Sequence, residues 1–449
     1  MVRLLGLCAL LVLGFGAPVF GQVTLERALA KVLAEHPQLQ AARARLRAAE
    51  EEVRIAAGKR WPAVDARTGL FYQRLEGGRS PLVALEQELS LRQLLYDGGR
   101  SGAALKAARA RLAEERARLR LLEQELLVEA VAAFTAVLRD QRLLELALLN
   151  EQRLLDHLAA FKARYREGQS TGMAVARAEA RYREARAARL LAQARLEESG
   201  ARFRRAIGDP PGGLVWPALP PGLPPDLAAA LAAVEDHPRV RAAEFAREAA
   251  LAEVQQARAG LRPLVLLESR LSWRSRPDPA TGADLDLKAG ALLTLPLYRG
   301  GALRAAVRQS RARELARRYA RDAARRAVQE EIRSAFFAFR AERERWADLS
   351  RRERAVRMLV DGLRNAVRMG QKAPSDLLEG ERELFQARSQ AVEARRARLL
   401  AAYRLLAAMG RLGAAELGIG AGDDHPTAIA RERGEASPAA VNPPLTEAR

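Results

Sequence analysis

Residues 86–99 read EQELSLRQLLYDGG and residues 288–301 read KAGALLTLPLYRGG, so the chain contains the same kind of segment twice. Each segment alternates apolar and polar residues, ends in Leu-Tyr-x-Gly-Gly, and is followed by a long stretch without proline. The alternation predicts a β-strand, and the proline-free stretch predicts a helix. Each copy therefore joins a strand to a long helix at a pair of glycines.

The duplication extends over most of the chain. The offset between copies is 202 positions at the Leu-Tyr-x-Gly-Gly motifs and 201 positions in the segments before them. Several coincident identities at one offset are the signature of an internal repeat. We therefore divide the chain into a first repeat (22–208), a connector (209–225) and a second repeat (226–410). Matching residues that precede the motifs are His36 and His237, Val53 and Val254, and Pro62 and Pro263.

Two strand pairs are predicted, one in each repeat, at residues 63–74, 83–94, 264–275 and 284–296. All four segments alternate with period two, which gives a strand one apolar and one polar face. Their length matches the ~9–11 residues of a transmembrane strand, with one face toward lipid and the other toward water. Because four strands cannot close a barrel, several copies must combine to cover the sheet edges.

A very long helix is predicted after each pair of glycines. Between Arg100 and Tyr165 apolar residues recur at spacings of three and four without a proline. A run well beyond ~25 residues is typical of a coiled coil, and ~65 helical residues extend roughly 100 Å. Glycine-containing turns near 168–172 and 370–375 then predict that each helix reverses, so each repeat forms a long antiparallel hairpin.

The two ends of the chain have different compositions from the repeats. Residues 1–21 resemble a secretory signal peptide, with Arg3 before a short apolar core and small residues after it. Cys8 is the only cysteine and lies in that core, so the mature chain is expected to lack disulfides and cysteine-based metal sites. Residues 411–449 are rich in glycine, proline and polar residues and are expected to form a loose tail.

The formal net charge of +20 can indicate a nucleic-acid or anionic-membrane partner. In this chain, however, arginine and glutamate are interspersed along alanine-rich helical segments, as on a solvated helix face. We therefore predict no nucleic-acid partner.

The sequence contains no arrangement typical of catalysis or metal binding. His36 and His237 each precede a proline at a helix start, and we assign them to helix capping. His157 and His425 are isolated, whereas a metal site needs clustered ligands. We find no nucleophile and base with a defensible relationship. We therefore predict no catalytic residue, no metal site and no cofactor.

The order and spacing of these motifs resemble the TolC family of outer-membrane efflux proteins. The residues that carry the resemblance are 96–99 and 296–301, the helix starts at 35–37 and 236–238, and the two glycine-centred turns. It covers about residues 22–412. It implies a mainly α fold with a small β part, in which duplicated helical hairpins form the α-barrel tunnel of a homotrimer. Four strands per chain would then contribute to a 12-stranded transmembrane β-barrel.

The resemblance also implies a function and partners. The protein would be the outer-membrane channel or exit duct of a tripartite efflux or type I secretion system, with its barrel in outer-membrane lipid and its tunnel in the periplasm. A periplasmic adaptor and an inner-membrane pump would open the helical tip.

The resemblance places functional residues at both ends of the hairpins. Asp376 and Lys372 would lie at the periplasmic entrance, although the first repeat has Ala174 at the position equivalent to Asp376. The hairpin turns would dock the adaptor. The turn residues are Gly168, Gln169, Gly370 and Gln371. The expected strand–helix hinge residues are Tyr96, Gly98, Gly99, Tyr298, Gly300 and Gly301.

Two other functions are compatible with parts of the sequence. A periplasmic coiled-coil adaptor or scaffold without a pore would need an inner-membrane anchor or a lipoyl-like β-domain, and neither is visible. An arginine-rich coiled coil that binds nucleic acid is opposed by the export signal. The alternating runs of about ten residues favour the channel over both.

Overall fold

The computed structural model describes residues 23–73, 82–275, 283–414 and 417. The predicted signal peptide, the two strand–strand turns and most of the predicted tail lie outside these residues. The described helices are α1 (Leu25–Glu35), α2 (Pro37–Gly58), α3 (Arg100–Arg166), α4 (Gly172–Ile207), α5 (Leu227–Leu231), α6 (Pro238–Ala259), α7 (Ala302–Arg368) and α8 (Pro374–Ala408). The strands are β1 (Ala63–Gln73), β2 (Leu82–Tyr96), β3 (Leu264–Ser275) and β4 (Ala283–Thr294).

The four strands form one antiparallel sheet in the order β1-β2-β3-β4. The pairing of β2 with β3 joins the hairpin of the first repeat to that of the second. β1 and β4 lie at the two edges of this sheet, and each has a strand neighbour on one side within the described part of the chain.

Two strand ends lie two residues from the predicted boundaries, and the other strand ends agree to within one residue. β2 continues to Tyr96 rather than stopping at 94, and its pairing with β3 shifts register between Leu94 and Tyr96. β4 ends at Thr294 rather than at 296. The early end of β4 follows from Pro296, which has no N–H group to donate to a ladder and restricts the backbone of the residue before it.

Each repeat forms a long helical hairpin below the sheet. α3 and α7 both have 67 residues, which corresponds to roughly 100 Å of helix. Their partners α4 and α8 have 36 and 35 residues and therefore cover only the part near the turn. Nearer the sheet, α2 and α6 pack against α3, and α6 also packs against α7.

The main hydrophobic core lies midway along the hairpins, where α1, α3, α4 and α8 meet. Phe134 and Phe203 are fully buried there, with ring centroids 6.1 Å apart. Leu412 is also buried in this core, so ordered packing extends two residues into the segment assigned to a loose tail. A second core surrounds Val328 and Ile332 on α7. These cores fix the hairpins to each other at mid-height.

The two repeats are equivalent in three dimensions. α2 and α6 correspond at an offset of 201 residues, and α3 and α7 correspond at 202. Strand register obeys the same offsets: Ala63 pairs with Arg92, and the equivalent residues Leu264 and Thr294 pair in the second repeat. The duplication in the sequence therefore extends to individual backbone pairs.

None of the described helices combines the length and the apolar composition that a membrane span requires.

Candidate functional site

The candidate site is the path from the sheet to the hairpin tips, and its upper end is the junction of strand and helix. Gly99 and Gly301 are the N-cap residues of α3 and α7, and both have positive φ angles, of 91° and 77°. Gly98 and Gly300 also have positive φ. L-residues with a Cβ rarely adopt this conformation, so the paired glycines permit the sharp change from strand to helix.

The first junction also contacts the second repeat. A Cβ atom on Gly98 would lie 2.5 Å from the Cβ atom of Arg262. Nη1 of Arg262 donates a hydrogen bond to the carbonyl oxygen of Gly98 at 2.8 Å. The equivalent Gly300 has no described atom within 4 Å of such a Cβ. The nearby Tyr298 is 84% exposed, against 49% for Tyr96. The space beside Gly98 is therefore occupied by Arg262, whereas the equivalent space beside Gly300 is open.

The sheet has one apolar and one polar face. On the apolar face, Leu89 is the Cα partner of Leu271, which in turn is the partner of Leu287. Edge-strand leucines on this face are strongly exposed, with Leu70 at 74% and Leu285 at 70%. Large apolar side chains in a continuous exposed face indicate a surface that contacts lipid or protein rather than water.

Ion pairs cross the strands on the polar face. Glu88 of β2 lies between Arg67 of β1 and Arg270 of β3, at 3.6 and 3.5 Å. Two further pairs join β2 to β3, Arg92 with Glu268 at 3.3 Å and Arg274 with Glu86 at 2.9 Å. Each exposed pair contributes little stability alone. Together these charged side chains indicate that this face of the sheet contacts water.

At the opposite end, both hairpin turns have the same backbone geometry. Gly168 and Gly370 have φ angles of 72°. The N–H group of Gln169 donates to the carbonyl of Arg164, and that of Gln371 donates to Ala366, both at 2.8 Å. This is the Schellman pattern, in which glycine in the left-handed conformation ends a helix. Turn geometry thus accounts for the glycines at both tips.

The two predicted entrance residues lie at the second tip. Asp376 is in the first turn of α8, and Lys372 is in the turn that precedes it. Both side chains are exposed, and neither makes an ion pair within the described residues. An acidic residue near a helix N-terminus is favoured by the helix dipole. Their positions are compatible with an entrance role.

Three charged or titratable side chains form a contact above the tips that the sequence reasoning missed. Nε2 of His157 on α3 lies 3.2 Å from Oε2 of Glu381 on α8. Nη2 of Arg364 on α7 donates to Oε1 of the same carboxylate at 3.0 Å. We call His157, Glu381 and Arg364 the tip triad. It joins the two hairpins of one chain at a level close to the turns.

Glu381 is the buried centre of the tip triad, with 9% of its surface exposed. Burial alone would raise the pKa of this carboxyl group. The hydrogen bonds from His157 and Arg364 oppose that effect, and the net pKa of Glu381 lies below its ordinary value. The carboxylate is therefore held in its charged form between the hairpins.

The predicted caps are confirmed at both histidines. Nδ1 of His36 accepts from the N–H of Gln38 at 3.3 Å, and Nδ1 of His237 accepts from Arg239 at 3.1 Å. His237 is fully buried, and its pKa is lowered by burial and by the neighbouring charge of Arg239. In the described part of the chain, no group of three His, Cys, Asp or Glu residues could hold a metal ion.

The geometry defines a class of protein: a tall helical scaffold rooted in a two-faced sheet, typical of a channel-forming protomer. The model of the family described as "Outer membrane efflux protein" matches residues 28–209 and 230–411, and the chain belongs to this family. The two matched segments coincide with the two structural repeats.

Relatives and solved structures are similar over nearly the whole chain. The outer membrane efflux protein BepC of Brucella suis biovar 1 is 29% identical over 430 residues, which cover 92% of each chain. The pyoverdine export outer membrane protein OpmQ of Pseudomonas aeruginosa is 27% identical over 415 residues, 87% of this chain and 86% of OpmQ. The crystal structure of VceC from Vibrio cholerae matches with a TM-score of 0.72 at 18% identity, covering 86% of this chain and 96% of VceC.

These findings confirm the predicted fold class, function and location. The protein is the outer-membrane exit duct of an efflux system, with its helical tunnel in the periplasm. The mainly α fold with duplicated hairpins and a small sheet is that of the solved outer-membrane channels.

Proposed function

We propose that three copies of this chain assemble into one continuous duct without catalytic activity. Their sheets close a 12-stranded barrel in outer-membrane lipid, and their hairpins form the periplasmic tunnel. In the resting state the hairpin tips are held together. A periplasmic adaptor docks at the two turns, and with an inner-membrane pump it shifts the population toward an open entrance.

The observation that carries the assembly is the pair of uncovered sheet edges, at β1 and β4. An exposed strand edge is a template for pairing with another chain, and a barrel removes such edges. The internal β2–β3 interface supports a model for pairing between copies, because β4 is the repeat equivalent of β2 and β1 is the repeat equivalent of β3.

The repeat offsets predict the register of this interface. Leu89 of β2 pairs with Leu271 of β3. We infer the same relationship between copies, which would bring Ala291 of β4 opposite Leu70 of the partner subunit. This register keeps apolar residues on one face of the closed sheet, as lipid contact requires.

The open second junction supports the same interface. Arg262 fills the space beside Gly98 within one chain, and the repeat equivalent of Arg262 is Trp61. Trp61 is 74% exposed in the single chain. We therefore place Trp61 of the partner subunit beside Gly300, which would cover both Trp61 and Tyr298.

Cysteine cross-linking tests the register directly, because the only native cysteine is Cys8 in the predicted signal peptide. The variant Leu70→Cys/Ala291→Cys should give covalent dimers and trimers on oxidation in membranes, with three chains as the largest product. Leu89→Cys/Leu271→Cys is the matched positive control and should link within one chain.

A displaced pair, Leu70→Cys/Leu287→Cys, is the negative control, since these positions are four residues out of the proposed register. Equal cross-linking of the displaced pair would show that the register is wrong. The proposed barrel would be wrong if Leu70→Cys/Ala291→Cys gave only monomers while the intrachain control Leu89→Cys/Leu271→Cys became cross-linked.

For the entrance, we propose that the tip triad holds the hairpins of each chain together in the closed state. Opening requires the hairpins to separate, and Glu381 is the point at which α3, α7 and α8 are joined by charged hydrogen bonds. Arg181 on α4 approaches Glu379 on α8 at 4.0 Å and adds a weaker connection. Asp376 and Lys372 are the proposed entrance charges below this level.

A further inference from the structure

A cavity lies well above the tips, between the connector and the helices α3, α7 and α8. Its volume is about 820 Å³, and Trp216 and Trp346 form two of its walls. Trp216 belongs to the connector, and Trp346 belongs to α7. Two of the four tryptophans of the chain therefore line one cavity.

An arginine side chain from α8 stacks on each tryptophan ring. The guanidinium carbon of Arg395 lies 4.5 Å from the ring centroid of Trp216, and that of Arg398 lies 3.6 Å from that of Trp346. Cation–π stacking of this kind fixes a guanidinium in one plane and leaves its N–H groups pointing outward along that plane. We call these four residues the tryptophan–arginine pocket.

The two arginines lack acidic partners. Among the described residues, no carboxylate lies within 4.0 Å of Arg395 or Arg398, although ion pairs are frequent elsewhere on these helices. The Nε atom of Arg398 is shielded from solvent and has no hydrogen-bond acceptor in the same part of the chain. A buried donor without an acceptor is unfavourable unless a ligand supplies one.

The carboxylates that also line the cavity are engaged by other arginines. Glu145 accepts from Arg142 at 2.6 Å, and Glu353 accepts from Arg357 at 2.8 Å. Burial, together with repulsion by Arg395, lowers the pKa of Arg398, so the two positive charges of the pocket repel each other.

We propose that the tryptophan–arginine pocket is an oxyanion-binding site, which takes a carboxylate or phosphate group between Arg395 and Arg398. Guanidinium forks bind these groups through pairs of parallel charge-assisted hydrogen bonds. A bound anion would join the connector, through Arg395 on Trp216, to α7, through Arg398 on Trp346. The site lies outside the tip triad and does not depend on the gating proposal.

The full-length protein in detergent, with Trp61→Phe and Trp273→Phe, provides the assay, because its remaining tryptophans are those of the pocket. Inorganic phosphate and citrate are the two probes, for the phosphate and carboxylate sources of the group. At constant ionic strength set with chloride, either probe should change the tryptophan emission saturably. Saturation by only one probe would identify the bound group as a phosphate or as a carboxylate. Saturation by both would show a site for oxyanions in general.

Arg395→Gln/Arg398→Gln should weaken the binding by about tenfold or more, since it removes both charged forks. Arg340→Gln/Arg351→Gln on α7 is the matched control, because it makes the same charge change at exposed residues and should leave the binding unaltered. If the glutamine variant does not fold, Arg395→Lys/Arg398→Lys replaces it, because lysine retains the positive charge and most of the aliphatic side chain. This variant should also bind the probes more weakly.

Three results would overturn the proposal. The first is an emission change that does not saturate with either probe, or that chloride reproduces. The second is unchanged affinity in the glutamine or lysine variant. The third is an equal loss of affinity in the control variant, which would show an effect of net charge alone.

Discussion

Nε2 of His157 lies 3.2 Å from Oε2 of Glu381, across 224 positions of sequence. The two residues belong to different hairpins, so their contact is lost if the hairpins separate. Arg364 holds the other oxygen of the same carboxylate. Because hydrogen bonds to charged groups contribute roughly 1.5–3 kcal/mol each, this contact is strong enough to influence the balance between closed and open tips.

Glu381→Gln is expected to make the duct open more often in planar bilayers. The amide has nearly the same shape as the carboxylate but carries no charge, so the contacts with His157 and Arg364 weaken. A loss of about 1.4 kcal/mol shifts a two-state opening equilibrium tenfold. Conductance of the purified protein measures this shift.

The matched control for that experiment is Glu383→Gln. Glu383 is also on α8, but its ion pair is with Arg352 of the same hairpin, at 3.4 Å. The substitution Glu383→Gln should leave the conductance near that of the native protein. Equal behaviour of the two variants would contradict a gating role for the tip triad.

The tip triad should also respond to strong acid. The folded pKa of Glu381 lies below the ordinary value of 4.5, so its contribution is fully present above that pH. The contribution is lost as the pH falls through the lower, folded value. Conductance should therefore rise only below about pH 4.5, and the rise should be smaller in Glu381→Gln. A rise of equal size in both proteins would assign it to other groups.

Much of the fold could be predicted from the sequence because the signals are local and repeated. Alternation with period two predicted the four strands, and the absence of proline predicted α3 and α7. The glycines at 168 and 370 predicted the turns because a left-handed helix end requires them. The exact strand ends were less accurate, since the register shift near Leu94 depends on pairing with β3.

The tip triad could not be predicted, because it depends on how the hairpins pack. His157 stands beside Asp156 on a charged helix face, where nothing in the sequence distinguishes it from a solvated residue. Its repeat equivalent, Leu359, offers no matching charge. Likewise, Arg262 gave no sign of its contact with Gly98, which exists only because β2 pairs with β3.

The two helix-capping histidines form a matched pair for measuring stability. His237→Ala removes a cap and leaves a cavity at a buried position, whereas His36 lies at a more exposed one. We expect His237→Ala to lower the free energy of unfolding by roughly 2 kcal/mol or more, and His36→Ala by about 0.5–1 kcal/mol. Denaturant unfolding in detergent measures both.

The comparison with asparagine separates capping from packing. Asparagine is a good N-cap, so His36→Asn should retain nearly all of the native stability, whereas His237→Asn should recover only part of it. Equal losses for His36→Ala and His237→Ala would mean that the burial of His237 adds nothing.

The entrance charges give the last prediction, which concerns ions rather than stability. In a trimer, three copies of Asp376 would surround the entrance, and carboxylates around a narrow opening attract divalent cations. Asp376→Ala should therefore reduce block of the conductance by divalent cations several-fold, and Lys372→Ala should increase it, because a competing positive charge is removed. Asp348→Ala, at an exposed site well above the tip, is the control and should not change the block. If the block is unaltered in Asp376→Ala but lost in another acidic variant of the tip, then Asp376 does not line the entrance.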